Sequence, residues 1–281
     1  MLKINKLEKI SQYSDMAVLV ISCDRYATCW TPFFSMFYKM WPQFDGQVYL
    51  GNNNLDYQFE DKDIGIINIG ADNSWCDNVA AMLEKIDKQY VMVFLEDFII
   101  KKPIDNAVVW DAYTFLREEK AGYYRLSTNP RGTKKYNRSK THRQITPLDY
   151  YCVNTSAGIW NKDILKQLLH EGYSAWDFEI KNSKQANAED RLPAIFLSSI
   201  KNQIKIINAI TSGKWMPKAV RFLKKNGIVV DTSEFPIMRG IQLFKVKAKY
   251  AISHMLPLWL KRFIKRILMK VGFRKQFLGE Y

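Results

Sequence analysis

Tyr90-Val91-Met92-Val93-Phe94-Leu95-Glu96-Asp97-Phe98-Ile99-Ile100 is the stretch whose reading decides how this chain folds. Its apolar run has the character of a strand buried on both faces, as in a parallel sheet, and it is interrupted by two adjacent acids. Ligands of open α/β sheets bind beyond the carboxyl ends of the strands. Carboxylates emerging there can hold a hydroxyl, a divalent metal or a developing positive charge. A helix N-terminus would also favour Glu96 and Asp97. Against that, Phe98, Ile99 and Ile100 continue apolar instead of opening an amphipathic helix.

Working outward, residues 16–22 form a second buried strand that ends in Ser22-Cys23-Asp24-Arg25-Tyr26. Thr31-Pro32 then suits a first helical turn, and Phe33, Phe34, Phe37, Met40 and Trp41 follow at helical spacing. Residues 47–50 read as a strand running into the turn-rich Gly51-Asn52-Asn53-Asn54, and residues 64–69 as another. Ser74 is placed to cap a helix carrying Val79, Met82, Leu83 and Ile86. This alternation predicts an α/β fold, an αβα sandwich around a mostly parallel central sheet. Farther on we expect a helix over 105–119, a strand at 123–126, a polar basic loop over 129–146, strands at 148–153 and 157–160, and a helix over 162–170. A strand over 204–210 leads into Ser212-Gly213-Lys214-Trp215. No internal repeat is present.

The 281 residues are 47% hydrophobic and 14% aromatic, enough for a packed core and unlike a disordered chain. Cys23, Cys29, Cys76 and Cys152 form no C-x-x-C pair, which supports neither a zinc site nor a disulfide framework. The first fifteen residues lack the apolar run of a secretory signal, and no stretch offers about 18 uncharged apolar residues. A cytoplasmic protein is expected.

The formal charge of +14 is uneven. From Gly240 onward ten basic residues face a single acid, which accounts for nine of the fourteen net positive charges. The expected division is therefore a domain over 1–239 and a basic tail over 240–281. In that tail Leu260, Phe263, Ile264, Ile267, Leu268 and Val271 share one helical face, flanked by Lys261, Arg262, Lys265 and Arg266. Such an amphipathic helix suits the interface of an anionic membrane, with residues 241–275 making the attachment on the inner face. A basic helix docked on the core fits the same pattern. Nucleic acid is not an expected partner, because no aromatic-rich basic module is visible.

Several short clusters carry chemistry. Asp24 can accept hydrogen bonds from a base or ribose and Tyr26 can stack on a ring, although an ordinary turn also uses Ser and Asp. Asp72 follows the next parallel strand in an equivalent place. Tyr173-Ser174-Ala175-Trp176-Asp177-Phe178-Glu179 sets carboxylates among large aromatics, a combination suited to sugar recognition and to deprotonating a hydroxyl. An amphipathic turn that buries Trp176 and Phe178 between solvated acids accounts for it as well. Glu189 and Asp190, before the apolar run 192–197, are placed to start a helix. Gly213 permits close backbone approach and Lys214 can neutralise a phosphate, yet neither a P-loop nor a G-x-G-x-x-G fingerprint is present. His142, His170 and His254 are scattered and are read as structural or solvated.

Together Ile-Ser-Cys-Asp-Arg-Tyr at 21–26, Phe-Leu-Glu-Asp-Phe at 94–98, Ala-Trp-Asp-Phe-Glu at 175–179 and Gly-Lys-Trp at 213–215 resemble GT-A-fold (Rossmann-like) glycosyltransferases of bacterial capsule, O-antigen and exopolysaccharide biosynthesis. The resemblance spans roughly residues 16–235. It implies transfer of a sugar from a nucleotide-sugar donor to a hydroxyl of a glycan acceptor, lipid-linked in keeping with the tail. It also implies a donor site of Ser22, Asp24, Arg25, Tyr26, Asp72, Glu96, Asp97 and Lys214, and an acceptor side with Trp176. Glu179 is expected to be the base, with Asp177 as the alternative. Glu96-Asp97 would stand where the family has Asp-x-Asp; because Phe98 follows, Asp97 alone would meet Mg²⁺ or Mn²⁺, and metal-independent catalysis through Lys214 and an arginine or lysine of the 131–143 loop stays open. A non-catalytic membrane-surface protein binding a nucleotide or a glycan is the alternative from another class.

Overall fold

The computed structural model describes residues 11–255 apart from Asn129 and Arg138. Strand β1 (Met16–Ile21) is buried along its whole length. Met16, Val18 and Val20 enter one core while Ala17, Leu19 and Ile21 enter another. The period-two alternation thus fills two cores at once, which is why the run is uninterrupted apolar sequence. Strand β2 (Gln47–Asn52) flanks β1 on one side, followed by β3 (Ile64–Asn68); β4 (Tyr90–Leu95) lies on the other side. All four run parallel.

At Glu96-Asp97 the chain turns, and Phe98–Ile100 becomes β5 in a separate two-stranded sheet instead of prolonging β4. The main sheet continues with β6 (Tyr123–Arg125), β7 (Lys134–Lys135), β8 (His142–Ile145), β9 (Gly158–Asn161) and β10 (Phe196–Ser199). Its nine strands lie in the order β3-β2-β1-β4-β9-β6-β10-β8-β7. Seven of them share one direction; β9, between β4 and β6, and β8, between β10 and β7, run against it, so four of the eight pairings are antiparallel. Strand β11 (Ile206–Asn208) pairs with β5, and β12 (Ile210–Thr211) with β13 (Lys214–Trp215).

Helices α1 (Ala27–Met40), α3 (Asn106–Glu118) and α6 (Pro217–Lys225) pack into the core on one face of the sheet. On the other face lie α2 (Trp75–Glu84), α4 (Lys162–Leu168) and α5 (Ala175–Glu189). The result is the expected three-layer mixed α/β arrangement. A last helix, α7, spans Gly240–Met255. The remainder of the basic tail, including the amphipathic pattern at 260–271, lies outside the described residues.

Some local expectations change. Pro32 sits inside α1, because a 3₁₀ turn at Asp24–Tyr26 leads directly into the helix at Ala27. The expected loop over 129–146 contains β7 and β8. Residues 148–153, expected as a strand, are turns. There the Asp149 carboxylate accepts from Thr133 N and Oγ1 and from Thr146 N, so local side-chain bonds replace a ladder. Glu189 and Asp190 end α5 rather than start a helix, with Asp190 left-handed at φ 47°. The single strand expected over 204–210 is divided between β11 and β12.

Candidate functional site

Register places the candidate residues along one rim. Ile21 pairs with Gly51 and Leu95, and Gly51 with Ile67, so the segments after β1, β2, β3 and β4 emerge side by side. Because β9 is antiparallel, its start belongs to the same rim: Val93 pairs with Gly158, and Thr155 lies three residues before Gly158. Arg125 also pairs with Gly158, which puts the end of β6 there too.

Asp24 joins two strand tips. Its Oδ1 accepts from the backbone of Asn53, Asn54 and Leu55 at 3.1–3.4 Å, and its own N–H donates to Asn53 Oδ1 at 3.1 Å. That use makes Asp24 a strut which shapes the rim. Ser22 is buried and accepts from Trp30 Nε1 at 2.8 Å. Tyr26 packs on Phe235 with ring centres 4.7 Å apart, and the exposed Arg25 guanidinium lies 5.7 Å over the same ring. Asp72 is exposed and accepts from Asn78 Nδ2 at 2.7 Å.

Glu96 and Asp97 form the electrostatic centre of the rim. Glu96 is 8% exposed, and burial, reinforced by the charge of Asp97, pushes its carboxyl well above the usual range. Asp97 is partly exposed at its surface but is also pushed up by burial; the Ile210 N–H, 3.3 Å from Oδ2, works in the opposite direction. The Asp97 carbonyl accepts from Ala209 N at 2.8 Å. These two bonds bring the β12–β13 hairpin to the acids. Its turn residues Ser212 and Gly213 have φ of 49° and 65°, the pair of positive values that a tight two-residue hairpin needs. Lys214 follows and donates to Gln242 at the start of α7. The hairpin is thereby anchored to Asp97 on the face of the first core, while its Lys214 side chain reaches to α7.

From the other face comes α5. Glu179 Oε1 accepts from both N–H and Oγ1 of Thr155, each at 2.7 Å. Burial raises the Glu179 carboxyl above its ordinary value, while the Thr155 bonds and the charge of Arg125 favour its ionised form. One turn back on the same helical face stands Trp176, 67% exposed. Asp177 has a different occupation: it accepts from Ser174 N and Oγ in a capping box and pairs with Lys181 at 3.0 Å, and these bonds hold its carboxyl below the usual range. Of the two candidate bases, Glu179 faces the rim segment and Asp177 serves the helix end.

Sequence reasoning passed over Thr155 and Arg125. Arg125 is fully buried, donating to the carbonyls of Pro130, Tyr151 and Cys152 at 2.7–3.0 Å and so closing the base of the 130–151 excursion. The signal was a charge inside the short strand Tyr-Tyr-Arg. Thr155 offers no signal, because only the antiparallel entry of β9 brings it to the rim. Among the described residues no three His, Cys, Asp or Glu side chains are grouped to hold a metal ion. Asp97 fits a divalent ion as one protein ligand beside phosphate and water oxygens. A cleft of about 420 Å³ lined by Tyr13, Asp45, Tyr49 and Asp87 opens at the opposite rim, and no candidate residue lines it.

No family model and no curated protein matches the chain. Among solved structures, that of S. aureus TarS 1–349 is similar with a TM-score of 0.46 and 14% identity, over 68% of this chain and 59% of that one. Its complex with UDP gives the same figures. The bifunctional IspDF from Campylobacter jejuni is similar with a TM-score of 0.39 and 13% identity, over 69% of this chain and 52% of that one. The chain thus spans less than two thirds of the length of these structures.

Proposed function

We propose that the chain is a glycosyltransferase, a hexosyltransferase in type, that moves a sugar from a nucleotide-sugar donor to a hydroxyl of a glycan acceptor. The observation behind this reading is the arrival of Glu179 and the Asp97–hairpin unit at one rim from opposite layers. The nucleoside would lie against residues 22–26 and Asp72, with Asn53 and Asn54 held in place by Asp24. The diphosphate would lie by Asp97 and Lys214. A divalent ion there, bound by Asp97 and the phosphates, would offset the leaving-group charge; Lys214 supplies positive charge in either case.

Trp176 offers an apolar platform to the acceptor sugar. Glu179 takes the proton from the acceptor hydroxyl, whose oxygen bonds to the anomeric carbon as the bond to the nucleoside diphosphate breaks. Direct displacement inverts the anomeric centre. The biological setting we propose is surface-polysaccharide synthesis of the capsule or O-antigen type, at the inner face of the cell membrane, with a lipid-linked acceptor. No helix of the described residues is long and apolar enough to cross a membrane.

The test is incubation with UDP-, GDP-, CMP- and dTDP-sugars, with release of nucleoside diphosphate or monophosphate as the readout. One donor class should be turned over slowly by water and faster with acceptor. Glu179→Gln should lower turnover about 10²–10⁴-fold with donor affinity retained. Because the base works ionised and its pKa is raised, wild-type activity should climb with pH through a midpoint above the ordinary carboxylate value of about 4.3. Absence of hydrolysis or transfer across the whole panel would overturn the reading.

A further inference from the structure

The face bearing α6 and the β5–β11 sheet carries cations that the proposed reaction does not use. Lys101 N–H donates to Lys205 O at 2.8 Å, continuing the β5–β11 ladder past the Ile100–Ile206 pair. Lys101 is half-buried, and Lys218, Lys205 and Lys102 are near enough that their charges join burial in lowering its proton affinity. On α6, Lys218, Arg221 and Lys225 share a face at helical spacing. Lys102, Lys205, Lys218, Arg221 and Lys225 are all exposed, and none of these cations forms a salt bridge among the described residues. The nearby acid in sequence, Asp105, is engaged in capping α3.

The support is rigid. Ala219 and Leu223 on the inner face of α6 are fully buried. Like charges gathered on a fixed surface repel one another, and an anionic partner removes that cost. What adjoins the cluster narrows the choice of partner. Lys214 and Gln242 tie the first turn of α7 to the hairpin that immediately precedes α6. That turn exposes Ile241 and Phe244, 74% and 72% accessible and one turn apart, and Val229 beyond α6 is 89% exposed. Cations bordered by exposed, mainly aliphatic side chains suit the headgroup region of a bilayer. Single-stranded nucleic acid would instead call for aromatic stacking platforms along a groove.

We propose that the α6–β5–β11 face of the folded body, together with the first turn of α7, is a docking surface for anionic lipid, distinct from the amphipathic pattern at 260–271. It does not depend on the transferase reading. Lys101 follows Asp97 by four residues, about 13 Å along extended chain, so a bilayer docked here would lie close to the candidate site.

The experiment is co-sedimentation of the full chain with vesicles of 30% phosphatidylglycerol in phosphatidylcholine, compared with phosphatidylcholine alone. One variant combines Lys102→Gln, Lys205→Gln, Lys218→Gln and Arg221→Gln. A control removes equal charge elsewhere with Lys62→Gln, Lys134→Gln, Lys140→Gln and Lys184→Gln. Partitioning onto anionic vesicles should fall at least about tenfold in the first variant, since each basic residue near such a surface contributes roughly fivefold. The control should change less than about twofold. Ile241→Ser with Phe244→Ser, which leaves charge unaltered, should also weaken binding. Equal losses in patch and control variants, no loss in the patch variant, or tighter binding of the unaltered chain to an oligonucleotide than to vesicles would each overturn the proposal.

Discussion

Glu96 is a residue whose burial works against stability. Its carboxyl lies at 8% exposure beside Asp97, and its pKa in the folded protein is raised by burial first and by Asp97 second. An acid with a raised folded pKa binds its proton more tightly when folded than when unfolded. Its protonated form costs nothing below the unfolded value near 4.3, and a penalty grows as pH rises from there toward the folded pKa. Glu96→Gln, which copies the protonated shape, should therefore stabilise the protein at neutral pH. The gain should vanish as pH falls to about 4. Urea unfolding of both proteins across that range checks the sign, and a gain independent of pH would disprove the account. The acids themselves were plain in the sequence, because two carboxylates interrupt an apolar run. Their environment was not, since it depends on Ile210 N–H arriving from more than a hundred residues away.

At the scale of elements, α5 shows how capping and presentation divide the labour of one short motif. Ser174 and Asp177 close the helix start, Phe178 anchors it in the core, and Trp176 and Glu179 are left on the face that turns to the rim. The stretch Tyr-Ser-Ala-Trp-Asp-Phe-Glu reads as acids among aromatics or as an amphipathic turn, and the signal passed over is the Ser-x-x-Asp spacing of a helix start. Ser174→Ala should cost about 1 kcal/mol of stability through the lost cap. By fraying the first turn it should also weaken acceptor binding, raising KM more than it lowers kcat. An unchanged thermal midpoint in calorimetry would show that the cap is not needed. The same contrast governs legibility elsewhere. Strands β1 and β4 and the Ser74 cap were readable because burial on two faces and capping chemistry act locally. The turns at 148–153 were not, because Asp149 reaches back to Thr133, and neither was the insertion of β9, because strand order is set by the packing of whole layers.

For the molecule as a whole, the sheet serves as a spacer that lets two layers meet at one rim. The first-core layer carries the hairpin with Lys214, the second carries Glu179, and Asp97 follows directly on β4. A donor bridging these parts would stabilise them together, and its effect should be visible as a shift in unfolding temperature. At a ligand concentration of about 100 times Kd the gain is about 2.7 kcal/mol. For a domain of this size that corresponds to roughly 5–10 °C. We expect one nucleoside diphosphate to produce such a shift in the unaltered protein, and Mn²⁺ to enlarge it if Asp97 shares an ion with the phosphates. Asp97→Asn keeps the acceptor for Ile210 N–H but removes the charge, so the enlargement by Mn²⁺ should disappear. Donor affinity should then fall about tenfold or more, the loss expected for one charged ligand in a partly buried site. A nucleotide shift identical in both proteins, with and without Mn²⁺, would mean that the rim binds its donor without Asp97 and would separate that residue from the site.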